Sequence, residues 1–553
     1  MEAMGVVNGG ALHTHYHDNN ASRDAFSDGA RGEQSIAPKL PRIRSMVCKE
    51  ALVVTVLFIW AFFLRFPFFF PATLDWDEST FIIVGQGILD GLLPYDALWE
   101  TKPPLVYVFF AAAISLFGKT IVAIRFAGCL WITVAAYLTY RAAYSVTSEK
   151  RASIAASALF ISATSLFSSE VMAESLALVP IIGVLLLLLT TERTAATCLF
   201  AGVLMGAAGM FRTNLAYLAA LIGIYIVLCP PIISIPRLAV RGLLYAAGGM
   251  IVVFITAIPY LMQDRLELWF NSVFLAPLIH SSATRSFANV QALALKAFSL
   301  YPDFPFFNRR IFLIGSVLWI GGFLGVVLCF RRWRDLSHRA RDQAVILLIF
   351  LIGSVASVFL TGAAHSHYLI QLIPSFAIFS AIALTSQPVG KRRLVVGLTA
   401  FLLIVLYSVR FVSHEYSSLA QRVKNNKSLS FGPEYEIAQY LQHENPDRKP
   451  VFLLSDHIVY WFIGQYPVTR LSTHPSNITK QFLIRAVEGP NATPESEMRR
   501  ILSRTPAFIV KEKYLWYFDY FKAEEARMLL NNTLNRDYVL TNVIDAREIY
   551  RRK

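Results

Sequence analysis

Roughly eleven apolar stretches, each near the ~20 residues needed to cross ~30 Å of hydrocarbon, run through this chain with no polar face. They fall near Ala51–Phe66, Ile124–Tyr144, Ser153–Phe167, Ser175–Thr190, Ala196–Met210, Leu215–Leu228, Leu238–Leu261, Ile311–Phe330, Ala344–Leu360, Tyr368–Ala383 and Leu394–Arg410. Helices that are apolar all round must be buried or lie in lipid. Only 16% of the 553 residues are charged, against about 25% in soluble domains, which rules out an ordinary water-soluble enzyme. The expected fold class is a mostly α polytopic membrane protein with about 11–13 membrane helices.

The net charge of +14 would suggest nucleic acid in a soluble protein. In a membrane protein Lys and Arg collect in cytoplasmic loops, so no nucleic-acid partner is implied. Five cysteines lie in or beside apolar stretches and imply neither a disulfide framework nor a thiolate metal site. Residues 1–45 are polar and aperiodic and read as a disordered cytoplasmic tail. Its His13, His15 and His17 read as solvated rather than metal-binding. No signal peptide precedes the first span, which reads as an uncleaved anchor.

The short apolar stretch Leu105–Phe117 decides the topology. If it does not cross, the basic loops around Arg141 and Lys150, Arg237 and Arg241, Arg331 to Arg341, and Lys391 to Arg393 all fall on the cytoplasmic side. If it crosses, most of them fall outside. The non-crossing assignment satisfies the positive-inside pattern, with Leu105–Phe117 lying on or dipping into the outer leaflet. A first exoplasmic loop over 67–104, the 263–310 loop and everything after Phe411 then share one side.

From about residue 412 the composition turns polar. Helices are expected at Glu434–His443 and Glu495–Ser503, and strands at Val451–Ser455 and Ala507–Val510. Residues 412–553 therefore read as a small exoplasmic α/β domain after a catalytic membrane domain at 46–411. The Asn-x-Ser/Thr triplets, Asn477 among them, read as chance occurrences. Lys511, Lys513 and Lys522 form a basic surface suited to an anionic glycolipid or simply solvated.

The first loop carries Asp75-Trp76-Asp77-Glu78, then Pro94-Tyr95, then Glu100-Thr101-Lys102-Pro103-Pro104 ahead of Leu105–Phe117. Carboxylates at a membrane entry need a task or a partner. This arrangement resembles the first loop of polyprenyl-phosphate-sugar glycosyltransferases of the GT-C fold. The similar proteins are the protein O-mannosyltransferase superfamily and its bacterial members, including lipid A aminoarabinose transferases. The resemblance spans nearly the whole chain and is strongest over Leu74–Ala127.

It implies one sugar moved from a polyprenyl-phosphate carrier to an extracytoplasmic acceptor, with inversion by direct displacement. An acceptor hydroxyl must lose a proton as it attacks, so a positioned carboxylate is needed. The resemblance gives that role to Asp77, with Glu78 orienting it or seating the acceptor and Asp75 in reserve. The leaving phosphate needs cations. Lys102 matches the family's lysine; Arg212 and Arg125, at span ends on the same face, are candidate phosphate contacts or snorkelling arginines, and Tyr368 is a candidate contact or an aromatic-belt residue. Glu170 and Glu174 fit a second acidic position, although relatives often carry Asp where Glu174 stands. His365 and His367 fit a late His-Tyr…Pro segment. With Asp77 and Glu174 they also form a set open to a divalent metal. No nucleotide loop is present.

The acceptor expected from the resemblance is lipid A, lipopolysaccharide core or another glycolipid, at the inner membrane. A transporter or flippase for a lipid-linked sugar is the alternative. Transporters place polar groups near the bilayer midplane and show repeated halves, and neither pattern is visible here.

Overall fold

The computed structural model describes residues 40–228, 234–297, 308–362, 365–386 and 390–553. The tail through residue 39, with His13, His15 and His17, lies outside the described residues, as does Cys229. Two compact units result, Met1–Ala51 and Leu52–Lys553. The described part of the first is the opening of helix α1 (Leu40–Arg65), and the second holds every other element.

In chain order these are α2 (Trp76–Leu89), α3 (Pro104–Phe117), α4 (Ile121–Thr147), α5 (Lys150–Phe167), α6 (Ala173–Thr190), α7 (Ala195–Phe211), α8 (Ala216–Leu228) and α9 (Ile235–Leu261). Short helices α10 (Leu266–Phe270), α11 (Ala276–Thr284) and α12 (Phe287–Ala297) follow. Then come α13 (Asn308–Arg331), α14 (His338–Phe359), α15 (Ile373–Thr385) and α16 (Lys391–Lys424). Among the described residues, seven helical segments are long and apolar enough to cross a membrane, including α4, α6, α9 and α14. The chain is a multi-pass membrane protein. On α9 the side chains of Met250, Phe254 and Ile255 are exposed, a surface that only hydrocarbon covers without cost.

Close helix contacts explain the glycines. A Cβ at Gly202 would lie 2.0 Å from the Tyr245 carbonyl oxygen, so α7 and α9 touch backbone to backbone there. A Cβ on Gly85 would meet Phe110 Cβ at 2.7 Å, which lets α2 lie directly on α3. At 14 residues α3 is about 21 Å long, short of a ~30 Å crossing.

The stretch 67–104 is not a plain loop. It contains α2, whose Phe81, Ile82, Ile83 and Val84 are buried. That apolar run is too short to register as a span, so the acidic residues before it stand out instead.

After α16, which continues unbroken through residue 411, the C-terminal region packs into the same compact unit. Its elements are α17 (Pro433–Glu444), β1 (Val451–Leu453), α18 (Val459–Ile463), α19 (Gln481–Glu488), α20 (Pro494–Ser503), β2 (Phe508–Glu512), α21 (Trp516–Tyr520), α22 (Glu524–Asp537), β3 (Tyr538–Ile544) and β4 (Arg547–Arg552). The sheet order is β1-β2-β4-β3, with β1 and β2 parallel and the other pairs antiparallel. The two expected strands and two expected helices form. The β3–β4 hairpin was not expected, because its alternating Tyr-Val-Leu-Thr-Asn-Val-Ile run is closed by Asp545-Ala546 rather than by a glycine turn.

Candidate functional site

Asp75 caps α2: its Oδ1 accepts from the Asp77 amide at 2.7 Å, which fixes Asp77 in the first helical turn. From there the Asp77 side chain meets the first loop's end and the C-terminal region. Lys102 Nζ lies 2.8 Å from Oδ2, and His474 Nε2 lies 3.5 Å from Oδ1. Burial alone would raise the Asp77 pKa, but the Lys102 ammonium and His474 outweigh it and hold the carboxyl well below its usual range. Asp75 goes the other way, raised to about 8 by burial and then by the neighbouring Asp77 and Glu170 charges.

The Lys102 end of the loop is held by the Pro-Tyr motif. Tyr95 is fully buried, takes a positive φ of 68°, and donates its hydroxyl to the Lys102 carbonyl at 2.6 Å. Trp99 donates its indole N–H to Ser272 at 3.1 Å and its amide to the Arg470 carbonyl at 3.0 Å.

Glu78 and Arg125 need correction. Both were expected near the reacting groups, but they form a closed pair inside the protein. Arg125 Nη2 lies 2.6 Å from Glu78 Oε2, and their side chains are 2% and 1% exposed. Arg125 also donates to the Phe68 and Pro71 carbonyls, and Glu78 accepts from the Val171 amide at 2.9 Å. The pair ties α2, α4 and the 168–172 turn together, and neither residue lines the cavity described next. Glu170 is likewise held in that turn, accepting from the Ser168 hydroxyl at 2.7 Å.

A cavity of about 540 Å³ lies against α7, α8, α9 and α11. Its wall is largely apolar, with Gly202, Gly206, Gly209 and Gly249 on one side. Exposed Tyr217, Met250 and Leu278 also border it, so it opens at the flank of the bundle. Lys102, Arg212 and Tyr368 meet at its polar end. Arg212 stacks 4.3 Å above the Tyr368 ring and pairs with buried Glu174 at 2.8 Å. His367 Nε2 is 3.6 Å from the same Glu174 oxygen, and the His365 and His367 rings stack at 5.3 Å.

Asp77 and Glu174 each carry a cation of the chain's own. Among the described residues no three His, Cys, Asp or Glu side chains converge as ligands. His13, His15 and His17 lie outside the described residues.

Residues 470–480 supply side chains that sequence reasoning missed. His474 accepts the Ser476 amide on Nδ1 at 3.3 Å, which leaves its Nε2 proton facing Asp77. Asn477, wholly buried, donates to Glu100 Oε2 at 2.9 Å and accepts from Lys480 Nζ at 3.0 Å. Burial pushes the Glu100 carboxyl up, but His474 and Lys102 prevail and hold it below its usual value. His457 donates to the Trp76 carbonyl at 3.1 Å at the head of α2, and burial pulls its pKa down to about 3. Asn477 therefore belongs to this network. Lys511 is paired with Glu548 at 2.6 Å rather than offered to a ligand.

No family model matches this sequence, and no curated protein sequence matches it. Its shape does match solved structures. ArnT from Cupriavidus metallidurans bound to undecaprenyl phosphate aligns over 92% of this chain and 98% of its own, at a TM-score of 0.59 and 14% identity. The chain has the GT-C fold. The apo form of the same ArnT aligns over the same shares, at a TM-score of 0.53 and 15% identity. The Archaeoglobus fulgidus oligosaccharyltransferase tethered to an acceptor peptide covers 89% of this chain at a TM-score of 0.47 and 13% identity. In the GT-C fold seen here, the membrane bundle and the C-terminal region match ArnT together, since the alignment leaves little of either chain out.

Proposed function

We propose that this protein is a membrane glycosyltransferase that moves one sugar from a polyprenyl-phosphate carrier to an extracytoplasmic acceptor. The observation that carries this is the cavity: an apolar trough, open at the bundle flank, ending at Lys102, Arg212 and Tyr368 beside the Asp77 carboxylate. A lipid phosphate needs such a site, with a long apolar slot and cations at its head. The ArnT structure with undecaprenyl phosphate supports the same choice of ligand.

The chemistry follows from the groups present. The acceptor hydroxyl attacks the anomeric carbon as the bond from that carbon to the phosphate oxygen breaks, which inverts the centre. The hydroxyl proton passes to Asp77, and the polyprenyl phosphate leaves as an anion against Lys102 and Arg212. In the free protein Lys102 pairs with Asp77 and Arg212 with Glu174. A donor phosphate entering the trough competes for both cations. Drawing the ammonium from Asp77 raises its basicity, so the base is activated only when a donor is bound.

The acceptor we propose is a glycolipid, lipid A or lipopolysaccharide core first, reached on the periplasmic side of the inner membrane. Cells lacking the protein, compared with restored cells by mass spectrometry of intact glycolipids, test this reading. A glycolipid lighter by one sugar, corrected by the wild type, supports it. Unchanged glycolipids and glycoproteins count against transfer and favour transport.

A further inference from the structure

A row of aromatic rings leads from the Asp77 site to the outside of the C-terminal region. Trp76, the residue before Asp77, lies 5.9 Å from the His474 ring and is stacked with Trp516 at 6.4 Å and 29°. Trp516 meets Tyr520 edge-on at 6.0 Å. Trp516 is 48% exposed and Tyr520 71% exposed, large apolar areas for a region whose other aromatic rings are mostly interior. Beneath them α21 is firmly seated. Tyr517 and Phe518 are buried, and the Tyr517 hydroxyl donates to the Leu454 carbonyl at 2.7 Å. Lys480, which bonds Asn477 of the site, sits 5.6 Å over the Phe521 ring at the row's edge.

We infer that this row is a saccharide platform: the sugar chain of the acceptor lies along Trp516 and Tyr520, with Lys480 beside its anionic substituents. The inference rests on the transferase reading and names the acceptor's chemistry. Pyranose rings present faces of weakly positive C–H groups that pack on the negative face of an aromatic ring, while indole N–H and phenol O–H serve the hydroxyls. Tyr and Trp carry both an apolar body and a polar tip. Leu515, next to Trp516, is buried, so the row offers rings with polar tips rather than an aliphatic face, flanked by exposed Lys513, Asp519 and Lys522. The inner end of the row, Trp76, meets the His474 ring at 5.9 Å, and His474 lies 3.5 Å from Asp77, so the platform adjoins the proposed base.

Saturation-transfer NMR on the full-length protein in nanodiscs tests this with two probes, maltoheptaose as a neutral glycan and deacylated lipopolysaccharide core oligosaccharide as an anionic one. The wild type is expected to transfer saturation to the core oligosaccharide and more weakly to maltoheptaose. Trp516→Ala and Tyr520→Ala should each weaken core binding roughly three- to tenfold. Lys480→Gln should weaken the anionic probe and spare the neutral one. Asp77→Asn should keep glycan binding, so a failed base assignment and a failed platform give different results. No transfer to either glycan, or equal transfer in the Trp516 and Tyr520 variants, overturns the platform. So does a patch whose substitution alters contact with the nanodisc lipid and not with the glycans.

Discussion

Asp77 and Glu78 are neighbours on the first turn of one helix, yet they sit in opposite kinds of environment. Successive residues point about 100° apart on a helix, so one faces the protein interior and the other the mouth of the site. Glu78 is closed in by Arg125 and the Val171 amide, and the Arg125 guanidinium is also bound to the Phe68 and Pro71 carbonyls. Asp77 remains 22% exposed, and its partners Lys102 and His474 each have a second place to go: Lys102 borders the cavity, and His474 adjoins the Trp76 ring. A fully enclosed ion pair holds helices in register, whereas an exchangeable one can respond to a ligand. The same contrast separates Arg125 from Arg212, which borders the cavity and stacks on Tyr368.

The largest expected effect tests the exchangeable side. Asp77→Asn should lower kcat for sugar transfer by roughly 10²–10⁴-fold, while the thermal midpoint falls by less than in Arg125→Ala because Lys102 keeps Glu100 nearby. A normal kcat would break the comparison at its centre. Next comes the closed side. Arg125→Ala leaves Glu78 buried without its cation and should cost about 3–5 kcal/mol of stability. It should be read as a lowered melting temperature with unchanged turnover per folded molecule. A stable Arg125→Ala protein that has lost donor binding would place Arg125 in the site after all.

Smaller effects sharpen the contrast. Lys102→Ala should weaken undecaprenyl phosphate binding roughly 10- to 100-fold, the loss of one charge-assisted contact. It should also move the acid limb of the kcat/KM profile, which reports the free protein, upward in pH. Asp77 acts when ionised, and Lys102 is what holds its pKa down. An unmoved limb would separate the two residues.

The smallest effect concerns Asp75, whose folded-state pKa of about 8 lies above its ordinary value of 3.8. Between those values the folded protein holds a proton that the unfolded chain releases, so this group costs stability as pH rises through that window. Asn caps helices as well as Asp does. Asp75→Asn should therefore match the wild type's melting temperature near pH 4 and exceed it slightly by pH 8.

The membrane bundle was legible because lipid imposes a length and a composition on any crossing helix, and α4, α6, α9 and α14 meet both. Asp77 and Lys102 each stood out through the local motif around them, but their pairing across 25 residues did not. Glu78 was misread because adjacency in sequence says nothing about which side of α2 faces the core, and its partner Arg125 lies in another helix with no acidic neighbour to mark it. His474, Asn477 and Lys480 were invisible for a different reason. They sit in a polar run of the C-terminal region, and nothing local records that 470–480 folds over a loop almost 400 residues earlier. Buried polar residues in tight turns look like any exposed loop until their partners are known.

Measuring Asp77→Asn and Glu78→Gln side by side in cells lacking the protein tests the central claim most directly, with intact glycolipid masses and the amount of folded protein read from the same cultures. With Asp77→Asn, folded protein should reach wild-type levels and the glycolipid should stay one sugar short. With Glu78→Gln, folded protein should fall, and whatever folds should still add the sugar. Full sugar addition by Asp77→Asn, or a well-folded Glu78→Gln protein that adds none, would contradict the account.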